Sequence, residues 1–135
     1  MCINNYTRDV EAVFSRMISN EYALRDAIKE LERRGIRKNE PKAFNYDCAE
    51  NYVKKATAER DMLHYKSECL YKGLLWYYIA TCYGVEATLY ISWPDSGIKH
   101  PIGHCWVRIG EFETEETEKY SKWKVICKFQ NGNKV

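Results

Sequence analysis

A histidine and a cysteine lie side by side in the segment GHCWVRI, residues 103–109. A thiol and an imidazole can act together as a nucleophile and its general base, so the pair is a candidate for thiol chemistry. The alternation of the segment predicts a β-strand, in which neighbouring side chains point to opposite faces. His104 is therefore expected to face away from Cys105, and a catalytic partner for His104 must come from elsewhere.

Cys69 is a better candidate partner for His104. It begins the apolar segment CLYKGLLWYYIATCYG, which predicts a helix that ends at a glycine and is followed by a strand. A thiol at a helix N-terminus has a lowered pKa, which suits a nucleophile. Whether Cys69 begins this helix or lies within a longer one stays open, because residues 56–69 also have high helix propensity. The alternative is that Cys69 and Cys82 are small core residues and His104 is an ordinary strand residue.

The order of these features resembles the transglutaminase-like branch of the papain-type cysteine enzymes. The resemblance covers residues 69–127 and includes Cys69, the pair Gly84-Val85 before a strand, and His104-Cys105-Trp106-Val107 on the next strand. It implies a cysteine hydrolase or acyltransferase with Cys69 as nucleophile and His104 as base. The family carries an acid on the third strand, where this chain has Cys127 after a strand tryptophan. Because loss of the orienting acid in the serine-protease triad costs ~10⁴ in turnover, we expect a protein without enzymatic activity.

Two amphipathic segments predict an N-terminal helical hairpin. Residues 7–34 carry apolar side chains at three- and four-residue spacing, and Gly35 is expected to end this helix. Residues 47–83 are helical again, with a break expected near Ser67 or Gly73. The last part of this second helix is apolar on all sides, so we expect other elements to surround it.

After residue 84 the hydrophobic period changes to two. This period predicts three antiparallel strands, at about 85–93, 103–112 and 122–130. We therefore expect an α+β fold in which an antiparallel hairpin of two long helices, residues 1–84, packs on a three-stranded β-meander, residues 85–135. At 135 residues the chain is expected to form a single domain.

Charged side chains are concentrated in two predicted connections. Five basic residues are expected at the tip of the helical hairpin: Arg33, Arg34, Arg37, Lys38 and Lys42. Five acidic residues occupy the connection between the second and third strands: Glu111, Glu113, Glu115, Glu116 and Glu118. A basic surface can bind phosphate groups, and an acidic loop can occupy a basic groove as nucleic acid does. Both segments could instead be solvated connections, or could pair with each other between two copies of the chain.

Composition narrows the class of protein. With 45% hydrophobic and 30% charged residues the chain is expected to be globular, and a net charge of +2 is too balanced for a general nucleic-acid binder. The N-terminal segment lacks the apolar stretch of a secretory signal, and no apolar run is long enough to cross a membrane. We therefore expect a cytoplasmic protein whose six cysteines are reduced. Neither a CxxC motif nor a glycine-rich phosphate loop is present, so we expect no metal and no other cofactor.

These features favour a small non-catalytic interaction protein. Single-domain chains rich in Tyr, Asn and Lys resemble, in type, the accessory proteins of phages and mobile elements, including inhibitors of bacterial defence systems. We expect the charged segments to bind a larger protein partner, such as a defence nuclease or another nucleic-acid-binding protein. The alternatives are a thiol enzyme that uses Cys69 and His104, and a protein that sequesters a small nucleotide through Arg25, Arg60 or Arg108.

Overall fold

Four helices precede an antiparallel sheet in this computed structural model, which describes residues 5–19, 21, 23–59, 65–94, 104–114, 123–130 and 133–134. The helices of this part are α1 (Tyr6–Ile18), α2 (Leu24–Lys38), α3 (Tyr46–Glu59) and α4 (Tyr65–Cys82). Its strands are β1 (Ala87–Pro94), β2 (His104–Ile109), β3 (Phe112–Glu113), β4 (Trp123–Gln130) and β5 (Asn133–Lys134). The predicted α+β class is therefore confirmed, although four helices are found where a hairpin of two long helices was expected.

The first predicted helix is divided into α1 and α2. Its apolar stripe has a gap between Met17 and Leu24, and Ser19 within the gap is a poor helix former. The Ser19 hydroxyl donates a hydrogen bond to the carbonyl oxygen of Arg16 at 3.1 Å, just after the end of α1. The prediction of one continuous helix over residues 7–34 is wrong because the apolar spacing is interrupted where the Ser19 side chain bonds the backbone of Arg16.

Gly35 does not end α2, contrary to the prediction, because α2 and α4 touch at this glycine. A Cβ at Gly35 would lie 2.8 Å from Cγ2 of Thr81 and 3.2 Å from the backbone nitrogen of Cys82. A glycine is therefore needed for the two helices to pack this closely. α2 ends at Lys38, the following C-cap residue Asn39 has a left-handed φ of 41°, and the N–H of Glu40 then donates to the carbonyl of Cys82 at 2.8 Å.

The second predicted helix is divided as well, between α3 and α4. Both expected break positions, Ser67 and Gly73, lie inside α4 instead. α3 begins where the Asn45 side chain accepts a hydrogen bond from the backbone N–H of Cys48 at 2.9 Å. Almost every residue of α4 from 71 to 82 is buried, as its all-round apolar sequence predicts.

The sheet has the strand order β3-β2-β1-β4-β5, and each pair is antiparallel. The three predicted strands correspond to β1, β2 and β4, while β3 and β5 are two-residue additions at the edges. β2 ends at Ile109, earlier than predicted, because Gly110 has a φ of 61° and turns the chain. In the central strand, Leu89 lies opposite Val107 of β2 and Phe129 of β4, and all three side chains are buried.

Buried side chains from all four helices and from β1, β2 and β4 form one hydrophobic cluster around α4. Trp76, Tyr77 and Tyr78 of α4 are each at most 2% exposed, as expected for a helix that other elements surround, whereas Tyr83 just after α4 is half-buried. Among the described residues, no helix combines the length and the apolar character needed to span a membrane.

Candidate functional site

The proposed thiol–imidazole pair is divided between α4 and β2. Cys69 is the fifth residue of α4, so it lies within the helix and not at the N-terminus, where the helix dipole lowers a thiol pKa most. His104 is the first residue of β2 and lies opposite Ser92 of β1 in the register. Both side chains lie outside the described part of the structure, and their pairing stays a prediction.

Two other cysteines, Cys82 and Cys105, are buried thiols that form no disulfide bond. Cys105 is 5% exposed, and a Cβ placed on Gly73 of α4 would lie 3.1 Å from its sulfur, so this thiol packs between helix and sheet. Cys82 lies at the end of α4, where burial raises the pKa of its thiol to about 12. Neither thiol therefore has the character of a nucleophile.

Cys48 forms a disulfide bond, which contradicts the expectation that all six cysteines are reduced. Spacing along the chain could not show this, because a disulfide depends on which cysteines the fold brings within bonding distance. The expected cytoplasmic location depended partly on reduced cysteines and stays a prediction.

The predicted basic residues lie along one side of α2, where it packs beside α1 and α4. Arg33, Arg34, Arg37 and Lys38 belong to the last two turns of α2, and Lys42 lies in the segment that follows. Their expected place at the tip of a two-helix hairpin is wrong because the chain turns back between α1 and α2. The basic side chains consequently lie near carboxylates of the helical layer.

Asp9 of α1 is at the centre of this basic cluster. Its Oδ2 accepts a hydrogen bond from the Tyr78 hydroxyl at 2.5 Å and pairs with Nζ of Lys38 at 3.4 Å, while its Oδ1 pairs with Nη1 of Arg34 at 3.2 Å. Burial alone would raise the pKa of Asp9, but the Tyr78 hydrogen bond and the two cations outweigh burial and lower this pKa. Burial and the bond to Asp9 raise the pKa of Tyr78, which keeps its hydroxyl a donor. Asp9 thus connects α1, α2 and α4.

Glu30 is the second carboxylate of the cluster. It pairs with Nη2 of Arg33 at 2.6 Å and with Nε of Arg34 at 3.0 Å, and the Arg33 hydrogen bond is the largest cause of its lowered pKa. Arg37 is exposed and pairs with no carboxylate in the described part of the chain. A cavity of about 340 Å³ opens here, lined by Asp9, Arg33, Arg34, Arg37, Lys38 and Tyr78. The four cations face two carboxylates, which leaves the cavity positive.

The first two glutamates of the predicted acidic loop flank an exposed aromatic ring. Glu111 is exposed, Glu113 is half-buried, and Phe112 between them is 54% exposed. The backbone N–H of Thr114 donates to the Val107 carbonyl, and the Val107 N–H donates to the Thr114 hydroxyl, each at 3.0 Å. These bonds fix the turn that carries Phe112. The other three predicted partner-binding glutamates lie outside the described residues: Glu115, Glu116 and Glu118.

Three aromatic rings are stacked from the core to the surface at this turn. The ring centroids of Phe112 and Tyr46 are 4.4 Å apart with an interplanar angle of 18°, and those of Tyr46 and Trp76 are 5.1 Å apart at 22°. Trp76 is only 2% exposed. The stack therefore connects an exposed ring to the hydrophobic core through Tyr46 at the start of α3.

A cavity of about 610 Å³ lies between the start of α3 and the β2–β3 turn. Its lining is mainly apolar, with one amide and two carboxylates: Phe44, Asn45, Tyr46, Asp47, Val85, Ile109, Gly110, Glu111 and Phe112. Apolar walls with a few placed polar groups are typical of binding pockets. The carboxylates of Asp47 and Glu111 favour a cationic group over an anionic one at this cavity.

Sequence reasoning identified Glu111 and Glu113 but missed Phe112, Tyr46 and Asp9 as site residues. A signal for Phe112 was present, since it is an apolar residue between two glutamates. Asp9 reads in the sequence only as a favourable charge in the first turn of a helix. Its partners are 25 and 69 residues away for Arg34 and Tyr78, and no local pattern indicates them.

Comparisons with protein family models, curated proteins and solved structures found no match to this chain. The resemblance to the transglutaminase-like cysteine enzymes stays a prediction from the sequence. Within the residues that the structure describes, no three His, Cys, Asp or Glu side chains form a group that could hold a metal ion. Two places in the fold combine exposure with charge and a cavity, the surface around Phe112 and the cluster at Asp9.

Proposed function

We propose that this protein is a non-catalytic binding protein that attaches to a larger protein through the Phe112 surface, defined as Tyr46, Asp47, Glu111, Phe112 and Glu113. The observation that carries the proposal is the exposed Phe112 ring, which is stacked on Tyr46 between two glutamates. The partner is a basic protein that binds nucleic acid, such as a bacterial defence nuclease, and binding of this chain inhibits the partner's activity.

The aromatic stack supports a binding role because the Phe112 ring is already oriented. Its 54% exposure leaves about half of the side chain for a partner to cover. Binding energy in protein interfaces is concentrated in a few aromatic and arginine side chains that fill pockets. A ring that is fixed before binding loses little side-chain entropy when the partner covers it. Phe112 therefore has the properties of an interface anchor.

The charges around Phe112 support a basic partner. Glu111 and Asp47 line the adjoining cavity, and Glu113 follows Phe112 in β3. Arg108 lies opposite Glu113 in the register, but its Nε donates to the carbonyl of Gly110 at 3.2 Å. Grooves that bind nucleic acid are rich in Lys and Arg, and a carboxylate surface can compete for them.

A capture experiment tests the proposal. Tagged wild type is incubated with a bacterial lysate beside Phe112→Ala and the double variant Glu111→Lys, Glu113→Lys. Ile36→Ala is the matched control, because Ile36 is 64% exposed on α2 and outside the Phe112 surface. We expect wild type and Ile36→Ala to retain one protein that DNA or RNA displaces and whose nuclease or nucleic-acid-binding activity falls in the complex. Both Phe112-surface variants should lose it while melting as the wild type does.

The results that contradict the proposal are equally specific. Retention of the same protein by Phe112→Ala would show that the ring is not part of the interface. Retention of a protein that nucleic acid does not displace would show that the partner is of another class.

The thiol-enzyme alternative makes a different prediction. An activated Cys69 would be alkylated selectively at a pH well below the ordinary thiol pKa, ahead of the buried Cys82 and Cys105. Because Cys69 is the fifth residue of α4, the helix dipole stabilises a thiolate there less than it would at a first-turn position. Labelling at limiting iodoacetamide from pH 5 to pH 9, mapped by mass spectrometry, separates the two functions.

A further inference from the structure

The cavity at Asp9 is a second site, separate from the Phe112 surface. It lies between α1, the C-terminal half of α2 and α4, and it shares no lining residue with the cavity beside Phe112.

The cations of this cavity retain hydrogen-bond donors for a ligand. Arg33 uses Nε and Nη2 on Glu30, and its Nη1 bonds no other described residue. Arg34 uses Nε on Glu30 and Nη1 on Asp9, and within the described residues its Nη2 has no acceptor. Arg37 has no carboxylate partner in the described part of the chain, so its whole guanidinium is available. Planar guanidinium groups match the oxygens of phosphate and bind them with paired hydrogen bonds.

The frame of the cavity is fixed before any ligand arrives. Asp9 holds Arg34 and Lys38 in place and is itself held by the Tyr78 hydroxyl. α2 is locked against α4 at Gly35, where a side chain would collide with Thr81. A ligand therefore meets three cations that carboxylates already hold, Arg33, Arg34 and Lys38, which reduces the entropy cost of ordering these side chains on binding.

Size and charge together define the ligand. Pockets for small molecules have volumes of roughly 300–1,000 Å³, and the cavity at Asp9, at about 340 Å³, lies at the lower end. Four cations against two carboxylates favour an anion with more than one negative charge. From this geometry we propose that the cavity binds a small molecule through a phosphate or diphosphate group, which Arg33 and Arg37 hold.

Calorimetric titration with inorganic pyrophosphate at constant ionic strength tests this site. The variants are Arg37→Gln and Arg33→Gln, and the control is Arg25→Gln, an exposed arginine in the first turns of the same helix, outside the cavity lining. We expect one saturable site in the wild type, weakened about tenfold by Arg37→Gln and by Arg33→Gln, because each loses charge-assisted hydrogen bonds to the phosphate. Arg25→Gln should bind within twofold of the wild type.

Three results would overturn the proposal. The first is absence of saturable pyrophosphate binding at millimolar concentration. The second is an equal loss with Arg25→Gln, which would indicate general charge attraction along α2. The third is binding of a single-stranded oligonucleotide without binding of pyrophosphate, which would assign the basic cluster to a nucleic-acid surface. Because the Phe112 surface is left intact in all these variants, each result is independent of partner capture.

Discussion

Replacing Asp9 by asparagine is the perturbation that tests the helical layer most sharply. The substitution keeps the size of the side chain and an oxygen that can accept from Tyr78, but it removes the charge that pairs with Arg34 and Lys38. The two cations are then left beside each other without their shared counterion. We expect Asp9→Asn to fold and to be less stable than the wild type.

The structure sets the size of this loss. Hydrogen bonds to charged groups contribute about 1.5–3 kcal/mol when one partner is removed. The side chains of Asp9, Arg34 and Lys38 are 24%, 29% and 26% exposed, so solvent screens part of the interaction. We therefore expect a loss of about 2 kcal/mol, which corresponds to a fall in melting temperature of roughly 6–10 °C for a chain of this length.

The pH dependence of the unfolding free energy is a second, independent test of the role of Asp9. Because the pKa of Asp9 is lowered from 3.8 in the folded protein, its stabilising contribution is complete above pH 3.8 and is lost as pH falls through the folded-state pKa. Asp9→Asn has no proton to gain at this position. The difference in unfolding free energy between the two proteins should therefore shrink as pH falls from 7 towards 2.

Urea unfolding followed by tryptophan fluorescence at several pH values measures both effects. Tyr78→Phe is a useful companion, since it removes the hydroxyl donor and leaves the charges in place. Equal stability of wild type and Asp9→Asn at pH 7, or a difference that stays constant down to pH 2, would refute the assignment of Asp9 as a charged link between helices.

Three further predictions concern packing and titration. Gly35→Ala gains about 1 kcal/mol of helix propensity but forces a Cβ against Thr81 at a cost of about 3 kcal/mol, so its melting temperature should fall by several degrees. Gly73→Ala, whose Cβ would lie 3.1 Å from the sulfur of Cys105 and from Cδ1 of Leu89, should lose less stability than Gly35→Ala, and equal losses in calorimetry would contradict the α2–α4 contact. Glu32 has a buried Oε2 that no described residue hydrogen-bonds and a pKa raised by burial, so the folded state loses stability as pH rises through that pKa. Glu32→Gln should then be more stable by about 1 kcal/mol at pH 7 and no more stable at pH 3 in urea unfolding, and an unchanged difference would be inconsistent with this cause. Burial raises the pKa of Cys82 to about 12, so its stabilising contribution is complete below pH 9.0 and is lost towards pH 12, and iodoacetamide at pH 8.5 should leave Cys82 unmodified in the folded protein by mass spectrometry.

The parts of the fold that the sequence predicts well are those with a continuous burial pattern. The segment that becomes α4 is apolar on every side, and it is the helix that the rest of the molecule surrounds. The alternation around Leu89 and Val107 likewise predicts which side chains of β1 and β2 enter the core. In these segments the local spacing of apolar residues is enough to predict both the secondary structure and the buried side chains, because both follow the same period.

The features that the sequence did not predict depend on residues that are distant along the chain. In the sequence Gly35 is typical of a helix end, but in the fold the missing side chain allows α2 to pack closely against Thr81 of α4. The bond between Asp9 and Tyr78 joins residues 69 positions apart. The two-residue strand β3, with Phe112, is too short to show alternation. The disulfide at Cys48 was not predicted for the same reason, because the spacing of cysteines along the chain does not show which of them the fold brings together.

The functional proposal depends on the Phe112 surface. The most direct test of the proposal compares the affinities of wild type and Phe112→Ala for the captured protein, measured by calorimetry at low and at physiological salt. We expect the substitution to weaken binding by about thirtyfold, as for an anchor worth about 2 kcal/mol, with Ile36→Ala unchanged. Charge attraction through Glu111 and Glu113 should also make wild-type binding weaker at higher salt. Equal affinity of wild type and Phe112→Ala would show that Phe112 does not anchor the partner.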